Sequence, residues 1–196
     1  MTQEELKDFL DEKVLQYNTL DFIDSDPVQI PHRFSAKEDI EIAGFLAATI
    51  AWGNRKMIIN NANKMMQLMG NSPYDFVMNF SENDLENLDG FVHRTFNSDD
   101  LKFFVQSLRN IYQNHGGLEQ VFAKHQTTES MQASISNFKQ TFFEVEHLPR
   151  TTKHISDPLN NSAAKRINMY LRWMIRADKQ GVDLGIWKSI PASILS

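Results

Sequence analysis

Cysteine is absent from the 196 residues. That excludes disulfides, thiolate catalysis and iron–sulfur ligation. No apolar stretch approaches the roughly 20 residues of a membrane span. The N-terminus, Met1-Thr2-Gln3-Glu4-Glu5-Leu6-Lys7, lacks the basic start and apolar run of a signal peptide. A soluble cytoplasmic protein with no membrane partner is therefore expected. The histidines (His32, His93, His115, His125, His147 and His154) are scattered, and none belongs to an HExxH pair. Glu144-x-x-His147 has the spacing of a di-iron ligand pair, but such a site needs a second pair and further carboxylates on facing helices. No metal and no other cofactor is expected. The chain also lacks G-x-S-x-G, a P-loop and G-x-G-x-x-G. There is no period-2 alternation that would mark a strand, no internal repeat and no low-complexity run.

What is present is ordinary for a globular chain: 41% hydrophobic and 23% charged residues, with 14 Phe and nine Met to fill a core. Helical periodicity runs almost throughout. Thr2-x-x-Glu5 and Ser35-x-x-Glu38 read as capping boxes that open helices. The segment from Ile42 to Trp52 is apolar nearly all round, the mark of a helix buried among others. Gly53 ends it, and Asn54-Arg55 opens the next run. Further helices are expected from Ser72-Pro73, Ser81-x-x-Asp84, Leu101–Tyr112, Leu118–His125 and Met131–Val145. Residues 18–34 and 146–161 read as loops. The expectation is one all-α domain over residues 1–196.

One stretch concentrates the chemistry. From Ser162 to Arg176 a helix would place Ile167, Tyr170, Leu171 and Met174 on one face and Lys165, Met169, Arg172 and Arg176 on another. Ser162 reads as its N-cap, with Lys165 in the first turn, where the helix dipole disfavours a protonated amine. A lysine so placed suits Schiff-base chemistry. The plainer reading is a solvated basic face. The surrounding charge is uneven. Residues 150–180 hold seven basic against two acidic side chains, whereas the rest of the chain holds 13 against 23. A basic segment on an acidic body can bind anions. Trp52-Gly53-Asn54-Arg55, between two helices, reads either as a glycine stop with a packed tryptophan or as a corner presenting Asn54 and Arg55 to a ligand. Arg33 and His32 could face the same cleft. Trp173 reads as core or as a stacking platform for a base.

The strings Pro31-His32-Arg33-Phe34, Gly44-Phe45-Leu46-Ala47-Ala48, Trp52-Gly53-Asn54-Arg55, Ser72-Pro73, His115-Gly116-Gly117-Leu118, Ser162 to Arg176 and Val182 to Trp187 resemble a bacterial family of conserved hypothetical proteins, domain of unknown function 2400. More remotely, that family resembles the helix-hairpin-helix DNA glycosylases of the archaeal 8-oxoguanine type. The resemblance implies an all-α helical bundle like that glycosylase fold. It implies Lys165 as the catalytic nucleophile and a catalytic aspartate in a stretch beyond Ser196. A damaged purine would be flipped out of DNA and excised through a lysine Schiff base. Arg166, Arg172, Arg176, Asn54 and Arg55 would hold phosphates, and Trp173 and Trp52 would stack on bases.

The chain ends in an apolar run, Pro191 to Ser196. The expectation is therefore a chain lacking the C-terminal helices of that fold, weak or inactive alone, with self-association through this run. Two other functions fit the same residues. One is a non-catalytic module that binds nucleic acid or an acidic partner through the basic helix face. The other is a structural interaction protein.

Overall fold

Ten α-helices and one two-stranded antiparallel ribbon make up the regular structure of the computed structural model, which describes residues 1–127, 130–178 and 180–195. Lys179, part of the basic segment, and Ser196 lie outside the described residues. The all-α expectation holds. The helices are α1 (Gln3–Tyr17), α2 (Leu20–Ser25), α3 (Lys37–Thr49), α4 (Arg55–Leu68), α5 (Pro73–Asn79), α6 (Glu82–Glu86), α7 (Ser98–Asn114), α8 (Leu118–Ala123), α9 (Gln132–Phe142) and α10 (Lys165–Ile175). The ribbon pairs β1 (Val92–His93) with β2 (Phe96–Asn97), Val92 opposite Asn97 and His93 opposite Phe96. Two-residue strands are too short to leave an alternating pattern in sequence.

Several helix starts follow local chemistry. Thr2 and Ser81 close capping boxes with Glu5 and Asp84, and Asn54 caps α4 by accepting the Met57 amide at 3.1 Å. α7 begins earlier than its apolar run indicates, because Asn97 and Asp100 form a capping box of their own. Ser35 does not cap α3. The helix starts after Ala36, and Lys37 in its first turn is tied to Glu119 of α8. The stretches read as loops contain α2 and four short 3-10 turns, at Pro27–Gln29, Pro31–Arg33, Pro149–His154 and Pro158–Asn160.

α3 lies at the centre: every residue from Ile40 to Thr49 is buried. Phe45 on this helix touches Phe104 of α7, Phe138 and Phe142 of α9 and Tyr170 of α10, with ring centroids 5.4–5.8 Å apart. Each such ring contributes on the order of 1.5–3 kcal/mol by leaving water. α10 crosses α3 at Gly44, where a Cβ would meet Met174 Cε at 2.9 Å and Tyr170 Cε2 at 3.3 Å. The expected apolar face of α10 is buried, joined by Trp173 and Ile175.

The chain then returns over the end of α10. The amides of Leu184 and Gly185 donate to the Trp173 carbonyl at 2.9 and 3.1 Å, and that of Trp187 to Met174 at 2.8 Å. These bonds satisfy carbonyls that a helix end leaves free. Ile190 and, within the apolar C-terminal run, Ile194 are buried in the same core.

Candidate functional site

The end of α3 and the start of α10 meet at one polar corner. Trp52 follows the last turn of α3 and precedes Gly53, whose φ of +104° turns the chain sharply into α4. The Arg166 guanidinium lies 4.7 Å from the Trp52 ring centre and donates to the carbonyls of Thr49 and, at 3.4 Å, His154. His154 lies near the indole, 6.2 Å between ring centres and 27° from parallel, and His93 meets its edge at 5.0 Å. Burial lowers the Arg166 pKa. The indole is packed against Arg166 and the two imidazoles.

Both histidines are buried and held. His93 contacts the Trp52 carbonyl through Nε2 at 3.3 Å and Asn61 Nδ2 through Nδ1 at 2.9 Å. This pairing assigns the proton to Nε2 and leaves the ring neutral. Burial lowers its pKa, against the pull of the Trp52 carbonyl. His154 Nε2 lies 3.2 Å from Asp100 Oδ2. Burial lowers its pKa too, outweighing the attraction of Asp100. The Asp100 carboxylate is fully buried. It accepts from the Thr151 hydroxyl at 2.7 Å and the Asn97 amide at 3.0 Å, and pairs with Arg150 at 3.0 Å. Arg150 also donates to Asn97 Oδ1 and the Thr95 carbonyl. Thr151, Asn97, Arg150 and His154 thus all meet this one buried carboxylate.

Lys165 is the first residue of α10 and is exposed. Ser162 is not its N-cap. The cap position is Ala164, in the left-handed region at φ 46°, and Ser162 Oγ accepts the Ala164 amide at 3.2 Å. Ala164 gives α10 no side-chain cap. Among the described residues Lys165 makes no hydrogen bond or ion pair. α4 and α10 share a further trait: Arg55-Lys56 and Lys165-Arg166 open them, and neither has an acid in its first turn. Cations there oppose the helix dipole and favour an incoming anion.

Two of the other expected phosphate ligands, Arg172 and Arg176, already have partners within the protein. Arg172 and Arg176 converge on Asp183, whose side chain is fully buried. Arg172 lies 3.3 Å away, and Arg176 donates to it through Nε. Arg176 also reaches Asn18 at 3.2 Å and Asp178 at 3.5 Å. Burial raises the Asp183 pKa, opposed by the two arginines. The arginines therefore neutralise a buried carboxylate. Arg172 sits about 10 Å and Arg176 about 16 Å along the helix from Lys165, so Asp183 is placed toward the other end of α10 from that lysine. Trp173, 1% exposed, is a core residue and offers no face to a base. His32 bonds the Val182 carbonyl at 2.9 Å and Arg33 bonds Asn63 and Asn71, so neither joins the corner through these bonds. Glu144 bonds His115 and Asn110, while His147 turns to the Val145 carbonyl.

A second polar cluster lies between α3, α7 and α8. The buried Glu41 accepts from Tyr112 Oη and Trp187 Nε1, each at 2.6 Å. Burial raises its pKa against those bonds. Glu119 accepts from Lys37 and from the Lys188 and Ser189 amides. Together the two carboxylates fasten residues 187–189 to the bundle.

Sequence reasoning missed the parts played by Asp100, His93, His154 and Arg150. The signal available for Asp100 was Asn97-x-x-Asp100, a legible capping pattern. Nothing local marks the histidines. A family model described as "Protein of unknown function (DUF2400)" matches residues 26–196, which include every residue of this corner. No curated protein and no solved structure matches the chain.

Proposed function

We propose, from the premise that the chain belongs to this DUF2400 family of unknown function, that it is a DNA glycosylase/lyase-like scaffold with Lys165 as the nucleophile. The observation that supports this reading is the exposed Lys165 amine on an uncapped helix start, with Arg166 and the α3–α4 corner beside it. Asn54 and Arg55 contribute the phosphate contact at that corner, through the first turn of α4 and its neighbour Lys56.

The Lys165 amine attacks C1′ of an extruded nucleotide through its nitrogen lone pair. The C1′–N bond to the base breaks, and the base departs with the bonding pair and takes up a proton. Opening of the sugar ring gives a Schiff base between Nζ and C1′. Loss of a proton from C2′ then expels the 3′ phosphate. At a pre-existing abasic site the same amine condenses with the C1′ aldehyde and releases water.

The second reading is a binding module without chemistry. It is favoured by the distance from Lys165 of Asp183, which pairs with Arg172 and Arg176. Incubation with duplexes carrying an oxidised purine or an abasic site, followed by borohydride, separates the two. A covalent adduct lost in Lys165→Ala is expected. Salt-sensitive binding with no adduct on any lesion would leave the module.

A further inference from the structure

We propose that Arg166 and Asp100 are positioning residues for Lys165, acting through the turn Pro149–His154, and that Arg166 is not a phosphate contact. This rests on the reading of Lys165 as the nucleophile. The start of α10 lacks the usual side-chain cap, and Ala164 before it adopts a backbone conformation unfavourable for an L-residue. Something else must hold the first turn. Arg166, the next residue after Lys165, is half-buried and engaged within the protein. Its guanidinium carbon lies over the Trp52 ring, and its terminal nitrogens donate to the carbonyls of Thr49 and His154. The guanidinium therefore fastens the first turn of α10 to the end of α3 and to His154.

His154 is in turn fixed from below. Its ring meets Asp100, and the turn carrying it is held by Thr151 and Arg150 on the same carboxylate. Asp100 is anchored at the start of α7 by the Asn97 amide. A chain of contacts thus runs from α7 through the 149–154 turn and Arg166 to the backbone that bears Lys165. Small displacements of a nucleophile slow a reaction steeply while leaving remote binding contacts intact.

The test uses the whole chain and an oligonucleotide with an abasic site. Borohydride-trapping rates are measured against DNA concentration at several salt concentrations, for wild type, Arg166→Met and Asp100→Asn. Positioning predicts about a tenfold or greater fall in the maximal trapping rate, with half-saturation and its salt dependence unchanged. Arg166→Lys should not restore the rate, because an ammonium cannot stack and fork together. A phosphate contact predicts the reverse: weaker half-saturation, a shallower salt slope and an unchanged maximal rate. That result overturns the proposal.

Hydrogen exchange of the Asn168 amide, bonded to Ala164 O at 2.9 Å, reads the first turn without DNA. It should quicken in both variants, and unchanged exchange also overturns the proposal. If wild type traps no DNA while this exchange still responds, the nucleophile reading fails and the coupling of Arg166 to α10 stands. Should Asp100→Asn fail to fold, Thr151→Val removes one bond to the same carboxylate and reports the same link.

Discussion

Glu119 shows how a single side chain carries a pH dependence. Burial alone would raise its pKa, but Lys37 and the donors of Lys188 and Ser189 hold it down to about 2. A carboxyl whose folded pKa lies below its unfolded value stabilises the fold above the unfolded value, and that contribution fades as pH falls. The window here runs from about 4.5 down to about 2. Glu119→Gln is expected to lower unfolding free energy by about 2–3 kcal/mol near neutral pH. Denaturant titrations of both proteins between pH 7 and 2 should show the gap closing toward pH 2. A gap independent of pH would sink the account. Glu41 acts in the opposite sense. Its raised pKa means that burying the ionised form becomes costlier as pH rises above the unfolded value. The arginines give the other lesson at this scale. Spacing put Arg172 and Arg176 on one stripe with Lys165, yet Asp183 and Asp178 decide what they do.

Among the elements, α3 and α10 form the closest pair that positions the corner. Gly44 is what permits it, since a methyl group there would press on Met174 and Tyr170. Gly44→Ala is expected to destabilise by about 1–3 kcal/mol through overpacking. Thermal unfolding would show it, and an unchanged midpoint would mean that Met174 yields freely. The helix starts divide by cause. Those at Thr2, Ser81 and Asn54 follow from their own side chains, so the sequence makes them legible. α3 and α10 begin without side-chain caps. Lys37 reaches across to α8 and Arg166 to the end of α3, so distant contacts accompany those two starts. The Ser35 and Ser162 signals were therefore misleading.

For the molecule as a whole, the core and α1 behave differently. No residue of α1 is buried, and most exposed large apolar side chains lie in the first 20 residues. Removing residues 1–17 is expected to shift the thermal midpoint by only a few degrees, about 3 °C or less, because little apolar area leaves the core. A loss of cooperative unfolding would instead show that α1 belongs to the folding unit. Charge also acts at this scale. A net charge of −5 opposes general attraction to DNA, so any binding depends on the local cations of the corner.

By itself the sequence determined the helical class, the buried run of α3 and the apolar face of α10. Each rests on periodicity within one segment. It also singled out Lys165 and the Trp52–Arg55 corner. Only the tertiary structure decided which cations are paired. It paired Arg172 and Arg176 with Asp183, buried Trp173, and brought Asp100, His154 and Arg166 together from three separate elements. The reason is physical. A buried charge or polar group must find a partner wherever packing supplies one, and packing joins residues that local spacing cannot relate.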